Sequence, residues 1–215
     1  MTPSIAVDEK ARAISTRPSR CASLGTSTEH PVIHRRPLGK PWQEELRLED
    51  GRRLWLRPIQ PEDAEPLRHS FALLTPEEVR MRFLHPLTEL TPAMARRLTH
   101  IDPRTQFALV LAEPEPPGEA LVGGVVRAAI DAGTKRADFA ILVSRFLAHQ
   151  GLGTLLMKQM LRWAKLKRLD AVYGDVLQDN LQMLNLAQQL GFRRRAADEP
   201  GLVRIERTLA TTDAR

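Results

Sequence analysis

The sequence predicts an α+β fold built on a mixed, mostly antiparallel sheet of about seven strands flanked by helices. Three observations carry this expectation. Runs rich in Val, Ile, Leu and Phe are separated by turn-forming residues. In the second half, segments with apolar residues at helical spacing alternate with strand-like runs. One junction, "DFAILVSRFLAHQGLGTLLMKQML" (138–161), leads from a strand through Gly-Leu-Gly into a helix with a broad apolar stripe.

Taken in order, "RRLWLRPI" (52–59) places Leu54 and Leu56 on one side and Trp55 on the other, a strand stopped by Pro58. In "QPEDAEPLRHSFALL", Pro61 suits a first helical position, and Glu62 and Asp63 sit beside the positive end of the helix. Thr75 and Glu78 in "TPEEVRMRF" have the spacing of a capping box, and "TPAMARRLTH" repeats the Thr-Pro opening at Thr91. Three strands follow, within 107–113, 119–130 and 136–144, and the breaks "PEPPG" and "DAGTK" call for antiparallel hairpins. Asp102, before the first of them, reads as a turn or cap residue. The helix after Gly153 carries Leu155, Leu156, Met160, Trp163 and Ala164 on one face. "DAVYGDVL" reads as a buried strand, with Trp163 and Tyr173 at core positions. "NLQMLNLAQQLGF" reads as a helix from about Leu181 stopped by Gly191, and "FRRRAADEPGLVRIERTL" as a closing hairpin. The order contains one strand-helix-strand crossover.

A chain of 215 residues fits one domain, placed at 49–211, behind a disordered basic tail at 1–48 that is rich in Ser, Thr, Arg and Pro. Residues 1–43 hold seven Lys or Arg against three acids, so four of the six net positive charges lie in the tail. The high pI therefore does not mark a basic face on the domain, and no nucleic-acid partner is expected. No window reaches the roughly 18 apolar residues of a membrane span, and the first 40 residues lack a secretory pattern; no membrane partner and a cytoplasmic location are expected. The single cysteine, Cys21, allows no internal disulfide, and six histidines without HExxH spacing predict no metal.

Glycines at a strand-to-helix junction permit positive φ and bare the main chain. Successive N–H groups there, with the free donors of the first helical turn, can cradle phosphate oxygens. Gly153 is followed by Thr154, Leu155 and Leu156 rather than Lys-Ser/Thr, and no third glycine follows, so the ATP and dinucleotide patterns both fail. By itself a GxG turn serves equally well as a plain structural turn.

The surrounding order resembles the GNAT superfamily of acyl-CoA-dependent acyltransferases. "AHQGLG" (148–153) is similar to its pyrophosphate loop, with both glycines in place, Ala148 where Gln or Arg is usual and His149 where glycine is frequent. "NLQMLNLAQQLGF" (180–192) is similar to its last-helix signature. The resemblance implies acetyl-CoA as cosubstrate and a binding set of Leu142, Val143, His149, Gln150, Gly151, Leu152, Gly153, Thr154 and Asn180. Asn180 would meet the pantetheine arm, although it suits a helix N-cap as well. Ala187 stands where the family often has a tyrosine acid, so the thiolate would leave unaided or take its proton from water.

"RPIQPED", "LTPEE", "RFLHP" and "IDP" resemble the catalytic domain of bacterial protein lysine acetyltransferases that act on acyl-CoA synthetases, over about residues 52–209. In "ADFA" those relatives have Glu where this chain has Asp138, which makes Asp138 the implied general base, direct or through water. A base is required because a lysine ammonium, of pKa about 10.4, is unreactive until it is deprotonated. The resemblance also implies an oxyanion N–H near Leu142 or Val143, and Arg82 and His85 at the acceptor cleft. It implies as partner a protein with an exposed lysine, such as an acyl-CoA synthetase. The alternatives are a small amine as acceptor or, given Ala148, Ala187 and the shortened acid, a noncatalytic acyl-CoA-binding module.

Overall fold

The computed structural model describes residues 33–39 and 42–209. Its strands are β1 (His34–Gly39), β2 (Gln43–Arg47), β3 (Arg53–Pro58), β4 (Gln106–Ala112), β5 (Val122–Ile130), β6 (Arg136–Val143), β7 (Ala171–Leu177), β8 (Arg193–Ala196) and β9 (Leu202–Thr208). They form one nine-stranded sheet in which β8 is the edge beyond β9 and the other strands follow chain order. Every neighbouring pair is antiparallel except β6 and β7. The helices are α1 (Ala64–Ala72), entered through a 3-10 turn at Pro61–Asp63, then α2 (Pro76–Phe83), α3 (Pro92–Thr99), α4 (Leu152–Leu166) and α5 (Leu181–Gln189).

The expected fold class holds, with two strands more than expected. Both lie in the stretch assigned to the tail, so the sheet begins at His34 rather than at residue 49. The signal for β2 is the alternation of "ELRLE", which buries Leu46 and Leu48 against the core and leaves Arg47 exposed. β1 carries Pro37, which only an edge strand tolerates, and it is held to β2 by Arg35 donating to Glu44 at 2.7 Å. Residues 1–32, with Cys21, lie outside the described residues.

Period-two alternation divides the strands between two layers. Leu54, Leu56, Leu109, Leu111, Val126, Ala128, Ala137 and Phe139 join α4 and α5 in the larger core. Ala108, Val110, Ala112 and Val125 face the other way, toward the α1–α3 layer. There Arg57 and Asp63, both buried, pair through bonds of 2.7 and 2.8 Å and fix the end of β3 to the entrance of α1.

The crossover through α4 opens the sheet. β6 and β7 are in register only at Arg136–Ala171, Ala137–Val172 and Asp138–Tyr173. Just past that point lies Gly174, where a Cβ would come 2.7 Å from the carbonyl oxygen of Phe139 and 3.2 Å from its ring. The close approach at the root of the split therefore requires glycine.

Candidate active site

Beyond the split, a cleft of about 800 Å³ lies between the free edge of β6, the last residues of β7 and the first turns of α4 and α5. That volume is within the range of small-molecule and cofactor sites.

The walls offer backbone groups without partners. In α4 the first internal bond runs from the Leu155 N–H to the Gly151 carbonyl, and no side chain caps the helix, so the amides of Leu152, Gly153 and Thr154 have no intrahelical acceptor. The contrast with other helices is plain: Thr75, Thr91 and Asn180 cap α2, α3 and α5 through their side chains. Gly151 takes the expected left-handed conformation, φ 70°. The second left-handed residue is His149, φ 62°, not Gly153. Gly153 owes its place to packing instead, since a Cβ there would meet Leu186 of α5 at 3.3 Å.

The edge of β6 adds a second row of free groups. Ser144 donates its N–H to Gly123, and Asp131 donates to Arg136, so both ends of the β5–β6 ladder are hydrogen-bonded pairs in one unbroken register. Alternation then turns the N–H of Leu142 toward β5 and those of Ile141 and Val143 toward the gap. Of the two amides expected to meet an oxyanion, only that of Val143 faces the cleft.

Leu142, Val143, Ala148, His149, Gly151, Leu152, Gly153, Thr154 and Asn180 line the cleft, and Gln150 does not. The Asn180 Oδ1 accepts from the Met183 N–H at 3.0 Å, so the capping role is filled while the amide nitrogen stays free to donate. Arg82 lines the inner wall, whereas His85 is exposed and packs edge-on against Phe83 at 6.5 Å between ring centroids.

Asp138 sits immediately inside the first cleft residue of β6, at the last β6–β7 pair. Solvent reaches part of it, yet the protein crowding its other sides pushes its pKa up to about 6, with repulsion from Asp175 and Asp131 adding to the effect and Arg82 opposing it. Asp131 accepts from the Tyr173 hydroxyl at 3.0 Å, and Asp175 holds Arg204 in a two-bonded pair at 2.9 Å. Tyr173, expected in the core, is instead part of this polar layer, with the guanidiniums of Arg136 and Arg204 about 5 Å from its ring. Its hydroxyl proton is held at Asp131, and burial raises its pKa to about 12. Tyr173 is the chain's one tyrosine, and Ala187 is buried in the core, so no other phenol can protonate a leaving group.

The sequence reading missed how α2 is tied across the cleft mouth. Glu78, expected only to cap its helix, also accepts from the backbone N–H of Arg145 at 2.7 Å and from its guanidinium at 3.0 Å. Burial alone would raise the Glu78 pKa, but hydrogen bonds from Thr75 and Arg145 hold it below the usual value. On the opposite wall, Arg80 bridges Glu77 and Asp179 at 2.8 and 2.7 Å. The capping box was visible in sequence; these partners lie 67 and 99 residues away.

A family model described as an acetyltransferase (GNAT) domain matches residues 53–193, more than half of the chain. The chain belongs to the GNAT acetyltransferase family. As a GNAT protein it is an acyltransferase that uses acyl-CoA, and the features above suit that group: free amides for its diphosphate and an open strand edge for its pantetheine amides. Acetyltransferase PA5475 of Pseudomonas aeruginosa is 29% identical over 154 residues, which cover 72% of this chain and 81% of that one. The GNAT domain of S. lividans PAT superposes with a TM-score of 0.68 at 24% identity, over 78% of this chain and 97% of that domain. A cAMP-binding acyltransferase from Mycobacterium smegmatis superposes with a TM-score of 0.52 at 20% identity, over 84% of this chain and 49% of that protein. Among the described residues, no three metal-ligating side chains are grouped to hold an ion, and no helix is long and apolar enough to cross a membrane.

Proposed function

We propose that this GNAT protein transfers the acetyl group of acetyl-CoA directly to an amine, and that the amine is a protein lysine side chain. The observation that carries this reading is the meeting of the uncapped start of α4 and the free edge of β6 with a carboxylate of raised pKa. When bound, acetyl-CoA supplies a thioester, whose carbonyl carbon is open to attack by a neutral amine.

The amides of Leu152, Gly153 and Thr154 hold the diphosphate, and the Asn180 amide nitrogen donates to the pantetheine arm. Asp138, the carboxylate at the inner end with no ion-pair partner among the described residues, takes the proton of the incoming ammonium. The Val143 N–H faces the gap, where it can stabilise negative charge developing on the acyl oxygen. Protonation of the departing thiolate is not essential, since a thiol has a pKa of only about 8.5. A lysine acceptor, such as one on an acyl-CoA synthetase, is supported by the sequence likeness to protein lysine acetyltransferases.

The test is acetyl-CoA turnover with candidate acceptors, read by mass spectrometry of intact proteins and of small amines. A mass gain of one acetyl group on a lysine establishes the reading. Acetylation confined to small amines replaces the acceptor, and coenzyme A binding without turnover on any amine leaves a noncatalytic module.

A further inference from the structure

A small pocket of about 40 Å³ opens beside the inner end of the cleft, between the sheet and α1–α3. Its walls are apolar, including Phe71, Leu98, Val125 and Leu142, but two arginines also line it, Arg82 and Arg127. Arg82 belongs to both the pocket and the cleft, as does Leu142, so the two spaces adjoin.

Among the described residues neither arginine forms an ion pair, although the attraction of Asp138 offsets part of the Arg82 charge. Among the described residues no carboxylate pairs with Arg82; its Nε is buried without a hydrogen-bond partner, and its guanidinium lies 4.9 Å from the Phe83 ring centre. Arg127 donates to the Leu98 carbonyl and has no ion pair among the described residues. Both arginines are half-buried, and a charge drawn out of water without a carboxylate partner is costly. Burial and the repulsion of Arg127 push the Arg82 pKa down to about 10, and burial also lowers that of Arg127, yet both stay charged at neutral pH. A carboxylate ligand would offset that cost by completing the pair.

We propose that Arg82 and Arg127 form a carboxylate subsite, which takes a reactant carrying a carboxylate on a short aliphatic arm. The pocket has room for about three water-sized groups, the bulk of a carboxylate and a methylene. A planar guanidinium matches a carboxylate through two parallel hydrogen bonds, and apolar walls strengthen them. The carboxylate can arrive on either reactant: at the end of the acyl group, as in a dicarboxylic monothioester, or on the amine, as in an amino acid. The assignment rests on the acyltransferase reading for the position of the reacting groups, and its carboxylate-bearing reactant would stand in place of the acetyl donor or of the lysine side chain proposed above.

Two comparisons on the full chain separate the sources. In the donor arm, calorimetric affinity for succinyl-CoA is compared with that for butyryl-CoA, which has the same chain length without the carboxylate. In the acceptor arm, binding of alanine to the coenzyme A-loaded protein is compared with that of ethylamine. One arm should favour the carboxylate about tenfold or more. That ratio should fall to near one in Arg82→Gln, fall partly in Arg127→Gln, and survive in reduced form in Arg82→Lys, which keeps the charge without the planar fork. Arg82→Gln should melt no lower than the wild type, because it removes an unpaired charge. Ratios near one in both arms of the wild type, or a preference that persists in Arg82→Gln, would overturn the subsite. Because both arms read binding, they decide the subsite even if no amine is acetylated, an outcome that would refute the transferase reading separately.

Discussion

The two ends of the cleft recognise charge by opposite means. The outer end, at the start of α4, presents main-chain amides and no charged side chain in the first helical turn. The inner end is built of charged side chains drawn from separate elements: Arg82 from α2, Arg127 from β5, Asp138 from β6 and Asp175 from β7. A backbone cradle holds the same part of a cofactor whatever the other substrate is. Side chains, which substitution changes one at a time, set the acceptor and the chemistry. The difference predicts which changes alter rate and which alter affinity.

The largest effect is expected at the inner end. Asp138→Asn should lower turnover by about 10²–10⁴-fold, the usual contribution of a general base, and leave coenzyme A affinity unchanged. Because the base must be ionised, kcat/KM of the wild type should rise with pH through about 6 and then level, and the variant should lose that limb. Stability has the opposite sign. The folded pKa of Asp138 lies above the ordinary 3.8, so folding favours its protonated form and stability is lost as pH rises toward and through about 6. The variant should therefore melt higher than the wild type above that pH, with the gap closing below about pH 4. Thermal melts across that range check it.

The same change of kind at the outer end acts on binding. Gly151→Val forces a β-branched residue into the left-handed region at φ 70°, at about 1–2 kcal/mol or more. If the loop shifts to relieve this strain, the amides of residues 152–154 leave their aligned position, and coenzyme A affinity should fall about tenfold or more. Turnover at saturating acetyl-CoA should fall less than in Asp138→Asn. Calorimetry and saturation kinetics together separate the two.

How far the sequence reveals each end follows from the same contrast. The outer end was legible because it is local: Gly151 and the α4 stripe lie within one short segment, and positive φ leaves glycine as its trace. Even so, the role of Gly153 depends on Leu186 in another helix, and the left-handed conformation fell on a histidine. At the inner end Asp138 was accessible through its "ADFA" context, but its raised pKa depends first on burial and then on Asp175 and Asp131, all of which only the folded sheet supplies. Arg127 left one trace in "GGVVRAAI", a charge within an apolar strand on the alternation shared with Val125, a hint of a polar function on a buried face. The strand β1 was hidden because Pro37 and two arginines look like tail, and only pairing with Glu44 and Glu45 reveals an edge.

Asn180 stands between the two modes and permits a sharper test. Its Oδ1 caps α5 while its amide nitrogen is free toward the cleft. Asn180→Asp keeps an equivalent cap but replaces the donor with an acceptor, so coenzyme A affinity should fall while the melting temperature holds. Asn180→Ala should lose both, with about 1 kcal/mol of stability for the missing cap. Equal melting losses in the two variants would show that the cap is not the structural role of this side chain.

The smallest effect asks whether the outer end is a backbone site at all. His149 adopts φ 62° at a cost that glycine would not bear, since a left-handed L-residue is disfavoured by about 1–2 kcal/mol while glycine adds about 0.5–1 kcal/mol of chain entropy. His149→Gly should therefore raise stability slightly, by less than about 1 kcal/mol, and leave coenzyme A affinity intact if the amides alone hold the diphosphate. A loss of affinity in this variant would instead assign part of the binding to the imidazole side chain. The outer end would then share the side-chain logic of the inner one, and the contrast between them would fail.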